Sequence, residues 1–417
     1  MKRLILVLTI LLLASLACGL PNITIAWPTE TPPGGPSVTV PPEQSPATPP
    51  AGPAVTVPPV TEPPTGLPAL NLPNGIVVDT QDGYGLILVD VKGSYITERA
   101  TPGLGSAGPE SVHVAGSSGT NSTPLVYQSW DNGGAILANV NEQITTLAAV
   151  PNFASMLGVP GQPILSYSTA EFTNNGLRSQ LFVSPLDTLF HAGPAVSRED
   201  PEGRAIKPLA IHVEGGVPTG VWYTLRPWGI GGDTVFDPTE GIYYVNINDG
   251  TITERMDKIS RSASMSFDQV WAAYASGIPG NGTFHIYNFQ TGENYGFNPL
   301  PSSERGAGYG VFSPSDTYVA WMEGSGWTMA ETPNFHATIR VGTTGGAWLV
   351  DYPDTMLASL LGTAVAWVEP VGWLDDQRLV LQVRGTDWSD ASVVVMDIAT
   401  NYLTYLTAGT FVGFVYP

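Results

Sequence analysis

Apolar residues occur along most of the chain in short runs of four to seven, rich in Val, Ile, Tyr and Trp. Clusters of Gly, Pro, Asn and Asp separate the runs, and this pattern is typical of β-strands joined by turns. No stretch of 12 residues has helical periodicity. The best candidate, Thr355 to Val368, lacks a charged face and is predicted to be a turn leading into a strand. The pattern therefore predicts an all-β domain over residues 74–417.

A two-part unit recurs within this β region. Its first half is an apolar run, a Ser/Asp turn and an alternating strand, and its best copy is Val311 to Trp321. Its second half is two strands around a short polar turn, as in Ile242 to Ile252 and His285 to Glu293. Asn246 and Asn288, at matching positions, lie 42 residues apart. Four strands in about 40–50 residues is the spacing of β-propeller blades.

The first half-unit carries a family resemblance. Phe312-Ser313-Pro314-Ser315-Asp316 resembles the Phe-Ser-Pro-Asp-Gly motif of WD40-like (TolB-type) propeller repeats, with Ser315-Asp316 in place of the usual Asp-Gly. The resemblance implies a β-propeller fold. It does not imply a particular function, because one fold supports many functions.

The number of blades follows from the number of units. The N-terminal piece, residues 74–100, has too few strands for a blade, and Thr410 to Tyr416 is a single strand without a neighbour in sequence. If this last strand completes the N-terminal blade, the ring closes and an exposed edge is removed. We therefore expect seven blades, with six or eight left open because the unit boundaries can shift. The six full units fit near residues 109–150, 152–196, 205–255, 257–300, 308–352 and 361–408.

The N-terminus has the pattern of a secretory signal. Met1-Lys2-Arg3 is basic, Leu4 to Leu13 is apolar, and small residues precede Cys18, which is the only cysteine. The segment resembles the lipobox of bacterial lipoproteins, with Ser15 where Leu is usual. The resemblance implies that residues 1–17 are a signal peptide and that Cys18 is lipidated. A plain secretory signal with an incidental cysteine is the alternative.

Residues 18–73 differ in composition from the β region. They are rich in Pro and Thr, and Gly35 to Pro42 recurs in modified form as Gly52 to Pro59. Proline fixes the backbone and removes amide donors, so we expect a disordered linker between the lipidated cysteine and the propeller. The linker is either a stalk with a role of its own or a simple spacer.

The chain is acidic, with 36 Asp and Glu against 16 Lys and Arg and a formal net charge of −20. Nucleic acid binding requires clustered basic residues, so a nucleic acid partner is not expected. The composition fits a solvated surface outside the cytoplasm. We expect an extracytoplasmic protein that is held at the bacterial membrane by its N-terminal lipid.

No catalytic constellation is evident. The five histidines lack zinc-binding spacing, and Asp387 and Asp390 do not match a calcium-binding EF-hand loop. Ser129 to Ile136 resembles, in part, the Asp-box of sialidase-type propellers, which implies a structural turn and not a catalytic residue. We therefore predict no catalytic residue, no metal and no cofactor.

Tryptophans are the better candidates for ligand contact. Four of them lie in Gly-, Thr- and Pro-rich surroundings where loops are expected. Loop tryptophans on a propeller face can stack on sugars or anchor a peptide, and they can equally pack between blades. The four candidates are Trp222, Trp228, Trp327 and Trp388.

The function predicted from the sequence is binding. The chain is interpreted as a binding or scaffold module for a protein, peptide or glycan at the bacterial cell surface. The alternative is a surface-anchored hydrolase or lyase that acts on an extracellular polymer through the propeller channel, although the sequence favours a protein that is not an enzyme. Converging carboxylates with an Arg or His at the channel would favour the enzyme, and an apolar, aromatic face would favour the binding module.

Overall fold

Antiparallel strands dominate the structure, a computed structural model. It describes residues 72–80, 85–105, 110–114, 123–228, 236, 238–276, 282–301, 305–326, 335–386 and 390–417. Cys18 and the predicted signal peptide and linker lie outside these residues. The strands, numbered in chain order, are β1 (Gly75–Asp79), β2 (Gly85–Asp90), β3 (Tyr95–Ala100), β4 (Val112–Val114), β5 (Leu125–Ser129), β6 (Ala135–Val140), β7 (Gln143–Ala149), β8 (Phe153–Gly158), β9 (Ile164–Thr173), β10 (Gly176–Pro185), β11 (Val196–Asp200), β12 (Arg204–Glu214), β13 (Val217–Pro227), β14 (Glu240–Asn246), β15 (Ile252–Met265), β16 (Trp271–Ser276), β17 (Thr283–Asn288), β18 (Asn294–Gly296), β19 (Arg305–Phe312), β20 (Tyr318–Ser325), β21 (His336–Thr343), β22 (Trp348–Pro353), β23 (Trp367–Trp373), β24 (Arg378–Arg384), β25 (Ala391–Asp397), β26 (Tyr402–Ala408) and β27 (Thr410–Val415).

These strands form five four-stranded sheets and one seven-stranded sheet. The four-stranded sheets are β27-β1-β2-β3, β4–β7, β8–β11, β19–β22 and β23–β26, and the seven-stranded sheet is β12–β18. Apolar side chains fill the space between successive sheets. Leu86 and Leu88 of the first sheet, for example, pack against Val112 and Tyr127 of the second. Sheets packed in this way around a ring define a β-propeller.

Residues 204–296 form a single seven-stranded sheet where the sequence predicted two separate blades. The cause is β15, a strand of 14 residues. Its first part pairs with β14 and its last part pairs with β16, so hydrogen bonding continues where a blade boundary was expected. The register shifts between Arg261 and Ser264, around Ser262, whose φ is 51°.

The predicted closure of the ring by the last strand is confirmed. Strand β27 pairs antiparallel with β1, from Gly75 opposite Val415 to Asp79 opposite Thr410. Phe411 packs with Val380 and Val393 of the sheet that precedes it in the chain. The two ends of the domain therefore belong to one sheet, and that sheet has no missing strand.

The short turns of neighbouring sheets are joined by carboxylates from the repeated motif. The Asp316 carboxylate accepts hydrogen bonds from the backbone N–H groups of Phe267 (2.9 Å) and Asp268 (2.8 Å). Asp376 accepts a bond from the N–H of Ser315 at 3.1 Å. Burial, together with the nearby Asp268 carboxylate, raises the pKa of Asp316 to about 7 although the two N–H donors favour its ionised form. The Ser/Asp turns therefore connect successive sheets.

One short helix stands where a turn was predicted. Helix α1 (Asp354–Leu361) begins after Pro353 and ends at Gly362, which has the left-handed conformation favoured by glycine. Leu357 is fully buried against the neighbouring core, so one apolar side suffices to hold the helix without a charged face. None of the helices in the described residues is long and apolar enough to cross a membrane.

Candidate functional site

The central cavity is an open space of about 770 Å³ that is lined mainly by the inner strands of the ring. The inner strands β8, β12, β15, β19 and β23 and the end of β13 contribute to its wall, and residues just outside the strands complete it. The lining residues used below are Glu110, Ser155, Lys207, Arg226, Trp228, Ser262, Ser264, Tyr309 and Glu369. Such a channel is where propellers commonly hold ligands, and its volume is in the usual range of small-molecule sites, about 300–1,000 Å³.

Local breaks in the strands shape the wall of the central cavity. Each of its five inner strands contains a register shift beside the lining residues. A β-bulge redirects side chains and is often found next to a functional site. The shifts lie at Phe153/Ser155 in β8, Pro208/Ala210 in β12, Arg261/Ser264 in β15, Gly308/Val311 in β19 and Pro370/Gly372 in β23.

Three charged side chains form a cluster at the cavity wall. Glu110 Oε1 lies 2.6 Å from Lys207 Nζ, and Glu110 Oε2 lies 2.7 Å from Arg226 Nη1. Burial alone would raise the pKa of Glu110, but the two cations outweigh it and lower that pKa to about 2. Arg226 also donates from Nη2 to the carbonyl of Ala154 at 3.1 Å. Glu110 is therefore a fixed anion at neutral pH and is unsuited to carrying a proton.

A second carboxyl in the central cavity behaves differently. Burial raises the pKa of Glu369, and this effect is opposed by a hydrogen bond from Trp367 and by the charge of Arg384. Trp367 Nε1 donates to Glu369 Oε2 at 3.3 Å. A carboxyl with a raised pKa is more readily protonated, and in that form it donates a hydrogen bond as well as accepting one.

Two of the lining residues carry buried serine hydroxyls. The Oγ atoms of Ser155 and Ser264 are buried, and neither has a hydrogen-bond partner among the described residues. Ser155 is only 1% exposed. An unsatisfied buried hydroxyl costs about 1–3 kcal/mol.

The aromatic wall is formed by Trp228 and Tyr309. Trp228 directly follows β13, and its N–H donates to the carbonyl of Gly203 at 2.9 Å. The Arg226 guanidinium lies 5.7 Å from the centroid of the Trp228 ring. Tyr309 has a φ of 54°, and its N–H donates to Ser262 Oγ at 3.2 Å. Left-handed conformations at residues other than glycine are strained and cluster at functional sites.

Of the four tryptophans predicted to contact ligand, Trp228 is the one that lines the central cavity among the described residues. The loop position predicted for Trp222 is wrong, because this residue lies within β13. Its side chain is buried, its ring packs 4.9 Å from that of Phe289, and its Nε1 donates to Gln269 Oε1 at 3.0 Å. Trp222 therefore serves packing. Trp327 and Trp388 lie outside the described residues.

The Asp-box resemblance corresponds to a turn in the structure. Asp131–Gly133 forms a short 3-10 helix between β5 and β6, and the N–H of Asp131 donates to Ser129 Oγ at 3.2 Å. Neither Ser129 nor Asp131 lines the central cavity. Across the described ranges, no group of three or more His, Cys, Asp and Glu side chains is arranged to hold a metal ion.

Sequence reasoning missed the charged cluster. Glu110 and Arg226 are 116 residues apart, and Glu110 precedes β4 whereas Lys207 lies on β12 in another sheet. No short motif marks them. One signal in the sequence is that Lys207 and Arg226 stand among apolar residues of predicted strands in a chain that has few basic residues.

Similar folds occur among solved structures. The chain is similar to the oligogalacturonate lyase of Vibrio parahaemolyticus, with a TM-score of 0.52, 10% identity and coverage of 81% of this chain and 85% of the other. It is also similar to a puromycin-hydrolyzing peptidase of Mycobacterium tuberculosis (TM-score 0.52, 14% identity, 81% and 54% coverage). TolB from Acinetobacter baumannii matches with a TM-score of 0.35, 13% identity and 81% and 80% coverage.

At these identities the similarity shows the fold alone. The structural neighbours include TolB-like β-propeller proteins. No protein-family model matches the chain, and no curated protein matches it in sequence. The fold and its central cavity define the chain as a β-propeller protein.

Proposed function

We propose that this protein is a binding module and that its ligand occupies the central cavity. The observation that carries the proposal is the Glu110 cluster. Its carboxylate and two cations are held in place by one another, beside the partly buried rings of Trp228 and Tyr309. Fixed charges and a preformed cavity suit ligand recognition, because the protein then loses little conformational entropy when the ligand binds.

The polar groups of the central cavity favour binding over hydrolysis or elimination. A general acid or base needs a pKa near the working pH. Glu110, with its pKa at about 2, does not meet this requirement, and the hydrogen bond that Glu369 accepts comes from Trp367, which does not titrate. A surface hydrolase or lyase stays the alternative. Cleavage products released from a bound polymer would favour it.

Trp228→Ala tests the cavity as the binding site. We expect it to weaken binding at least about tenfold, because truncating a central aromatic contact usually costs more than 1 kcal/mol. The full-length protein is applied to a glycan and peptide array, and the affinity for each positive ligand is then measured for the wild type and the variant.

Trp348→Ala is the matched control. Trp348 is also a tryptophan, it is 56% exposed, and it lies on β22, away from the cavity lining. Its loss should leave the affinity unchanged. Equal affinities for the wild type and Trp228→Ala would contradict binding in the central cavity.

We also propose that the protein acts outside the cytoplasm, anchored by lipid on Cys18 and separated from the membrane by the Pro/Thr-rich linker. The support is the order of basic, apolar and small residues that ends at Cys18. Several acyl chains on one residue suffice for stable anchoring.

Cys18→Ser tests the anchor. The wild-type protein should partition into the detergent phase, and Cys18→Ser should stay in the aqueous phase because it lacks the thiol that receives the lipid. Phase partitioning with Triton X-114, followed by mass spectrometry of the N-terminal peptide, measures both. Detergent partitioning that is the same for both proteins would exclude lipid on Cys18.

We further propose that the seven-stranded sheet works as two blades, so that the ring has seven. Its two halves pack against each other as successive sheets do. Trp222 and Ile242 of one half belong to the same hydrophobic cluster as Ala272 of the other half, and Met265 packs against that cluster. Five of the inner strands, including β12 and the end of β15, then contribute to one ligand-binding wall.

A further inference from the structure

Two side-chain contacts join the region of strand β15 to the region of strand β19. The first is the bond that the Tyr309 N–H donates to Ser262 Oγ at 3.2 Å. The second is made by Asp316, whose carboxylate reaches from the turn after β19 to the turn after β15. There it accepts the N–H groups of Phe267 and Asp268. The seven-stranded sheet and the sheet β19–β22 are therefore linked at two points along one junction.

The second contact brings two carboxyl groups together. Asp316 Oδ2 accepts the N–H of Asp268 at 2.8 Å, and the side chains of the two residues also form a hydrogen bond. Asp268 Oδ1 is held by two donors of its own turn, Ser266 Oγ at 2.6 Å and the N–H of Val270 at 2.9 Å. Two carboxylates in contact repel each other, whereas a shared proton lets one carboxyl donate to the other.

The surroundings of the carboxyl pair favour the protonated form. Burial raises the pKa of Asp316, and the charge of Asp268 on the turn after β15 raises it further. The N–H groups of Phe267 and Asp268 act in the opposite direction because they bond the ionised form. The outcome is a pKa of about 7 for Asp316, which places its titration at neutral pH.

The turn after β23 is the other element that approaches Asp316 through a charged side chain. Its Asp376 accepts the N–H of Ser315, the residue before Asp316, at 3.1 Å. Arg378, at the end of that turn, is paired with Asp375 at 2.7 Å. This turn therefore brings a carboxylate toward the pair, and its arginine is engaged with a carboxylate of its own.

The same junction borders the central cavity. Met265 and Val311 line the cavity, and they lie at the ends of β15 and β19 that lead into the two turns. Ala273 of the seven-stranded sheet packs in one hydrophobic cluster with Phe312 and Trp321 of the next sheet. A change in the spacing of the two turns therefore acts on strands that form the cavity wall.

We infer that Asp316 and Asp268 form a proton-controlled latch between the two turns. A proton shared by the carboxyls holds the turns together. Its loss leaves two negative charges in contact and loosens the junction beside the central cavity. The latch is a property of the protein alone and does not depend on which ligand the cavity binds.

The latch makes stability depend on pH with a definite sign. The pKa of Asp316 is about 7 in the folded protein, against an ordinary value of 3.8. The folded protein therefore binds this proton more tightly than the unfolded chain does. Its contribution to stability is complete below the ordinary pKa and is lost as the pH rises through about 7.

Asp316→Asn tests the latch. Asparagine stays neutral, can still donate to Asp268, and tolerates the left-handed conformation of this residue, whose φ is 56°. The variant should melt close to the wild type at about pH 5 and several degrees above it at about pH 8, where the wild type carries both charges. Differential scanning calorimetry of the full-length protein in detergent measures both melting temperatures.

The comparison between proteins removes other titrations. Burial lowers the pKa of His113 and of His285, so their protonation in the unfolded chain reduces stability at acidic pH. This effect is opposite in sign to that of the latch and is the same in the wild type and the variant. The difference between their melting temperatures therefore reports the carboxyl pair.

Two further variants show whether the pair is responsible. Asp268→Asn removes the like charge from the other side and should also raise the melting temperature at about pH 8 relative to the wild type. Asp376→Asn is the matched control, because Asp376 accepts a comparable N–H bond but lies on the turn after β23. It should keep the pH dependence of the wild type.

Hydrogen exchange provides a local measurement that the wild type alone can supply. After correction for the intrinsic effect of pH, protection of the Phe267 and Asp268 amides should fall between about pH 6 and pH 8 in the wild type. It should stay constant in Asp316→Asn. Constant protection in the wild type would overturn the latch. So would melting temperatures that change equally with pH in the wild type, Asp316→Asn and Asp268→Asn.

Discussion

Deleting residues 410–417 should lower the melting temperature of the protein by many degrees or cause it to aggregate. Strand β27 lies within this segment and is hydrogen-bonded to β1 along five residue pairs. Its removal leaves one edge of β1 unpaired and takes Phe411, Val412 and Val415 out of two hydrophobic cores. Burial of each such side chain contributes about 1.5–3 kcal/mol, against a total stability of about 5–15 kcal/mol.

Differential scanning calorimetry measures this effect, and a second deletion controls for the loss of chain. Deleting residues 19–70, the predicted linker, should leave the melting temperature unchanged because its Pro-rich composition does not favour a packed core. If the C-terminal deletion melts like the wild type, closure of the ring by β27 is not needed for stability.

Arg340→Met is expected to cost about 3–5 kcal/mol of stability, because it leaves a buried carboxylate without its partner. Arg340 Nη1 lies 2.8 Å from Glu323 Oε2, and the two side chains are 7% and 2% exposed. The same guanidinium donates to Asp351 (2.8 Å) and to the carbonyl of Asn298 (2.7 Å). Burial already raises the pKa of Glu323, and Arg340 opposes that rise.

Urea unfolding measures the loss, with two comparisons. Arg178→Met removes an arginine whose ion pair with Glu171 is about half exposed, so it should cost no more than about 1 kcal/mol. The double variant Arg340→Met/Glu323→Gln should recover part of the loss, because position 323 then carries no buried charge. A cost for Arg340→Met as small as that for Arg178→Met would contradict a buried ion pair at this position.

Local pattern was sufficient to predict the strands. Apolar runs and turn residues act over a few positions, so the Ser/Asp turn of Val311 to Trp321 was readable from sequence, and β19 and β20 lie on either side of it. The closing strand was predictable for another reason. Thr410 to Tyr416 is apolar and has no neighbour in sequence, and an unpaired apolar strand must find an edge elsewhere.

The errors have physical causes as well. β15 passes between two predicted units without a break, because pairing with β16 continues beyond Ser260. Ser262, at the register shift of this strand, has a left-handed backbone conformation. Sequence patterns predict that conformation at glycine and not at serine. Helix α1 was not predicted because its sequence lacks the amphipathic pattern by which a helix is recognised. The helix is held instead by one buried leucine, Leu357, which packs into the neighbouring hydrophobic core.

By itself, the sequence determined the all-β class, the repeated unit and the closure of the ring, because these depend on residue order and on short-range backbone preferences. Only the tertiary structure decided the candidate site. Glu110 lies outside the strands, Lys207 and Arg226 lie on neighbouring strands of the seven-stranded sheet, and Glu369 lies on β23. What each one does depends on distances across the ring. Trp222 and Trp228 look alike in sequence, yet packing buries the first inside a sheet and places the second on the wall of the central cavity.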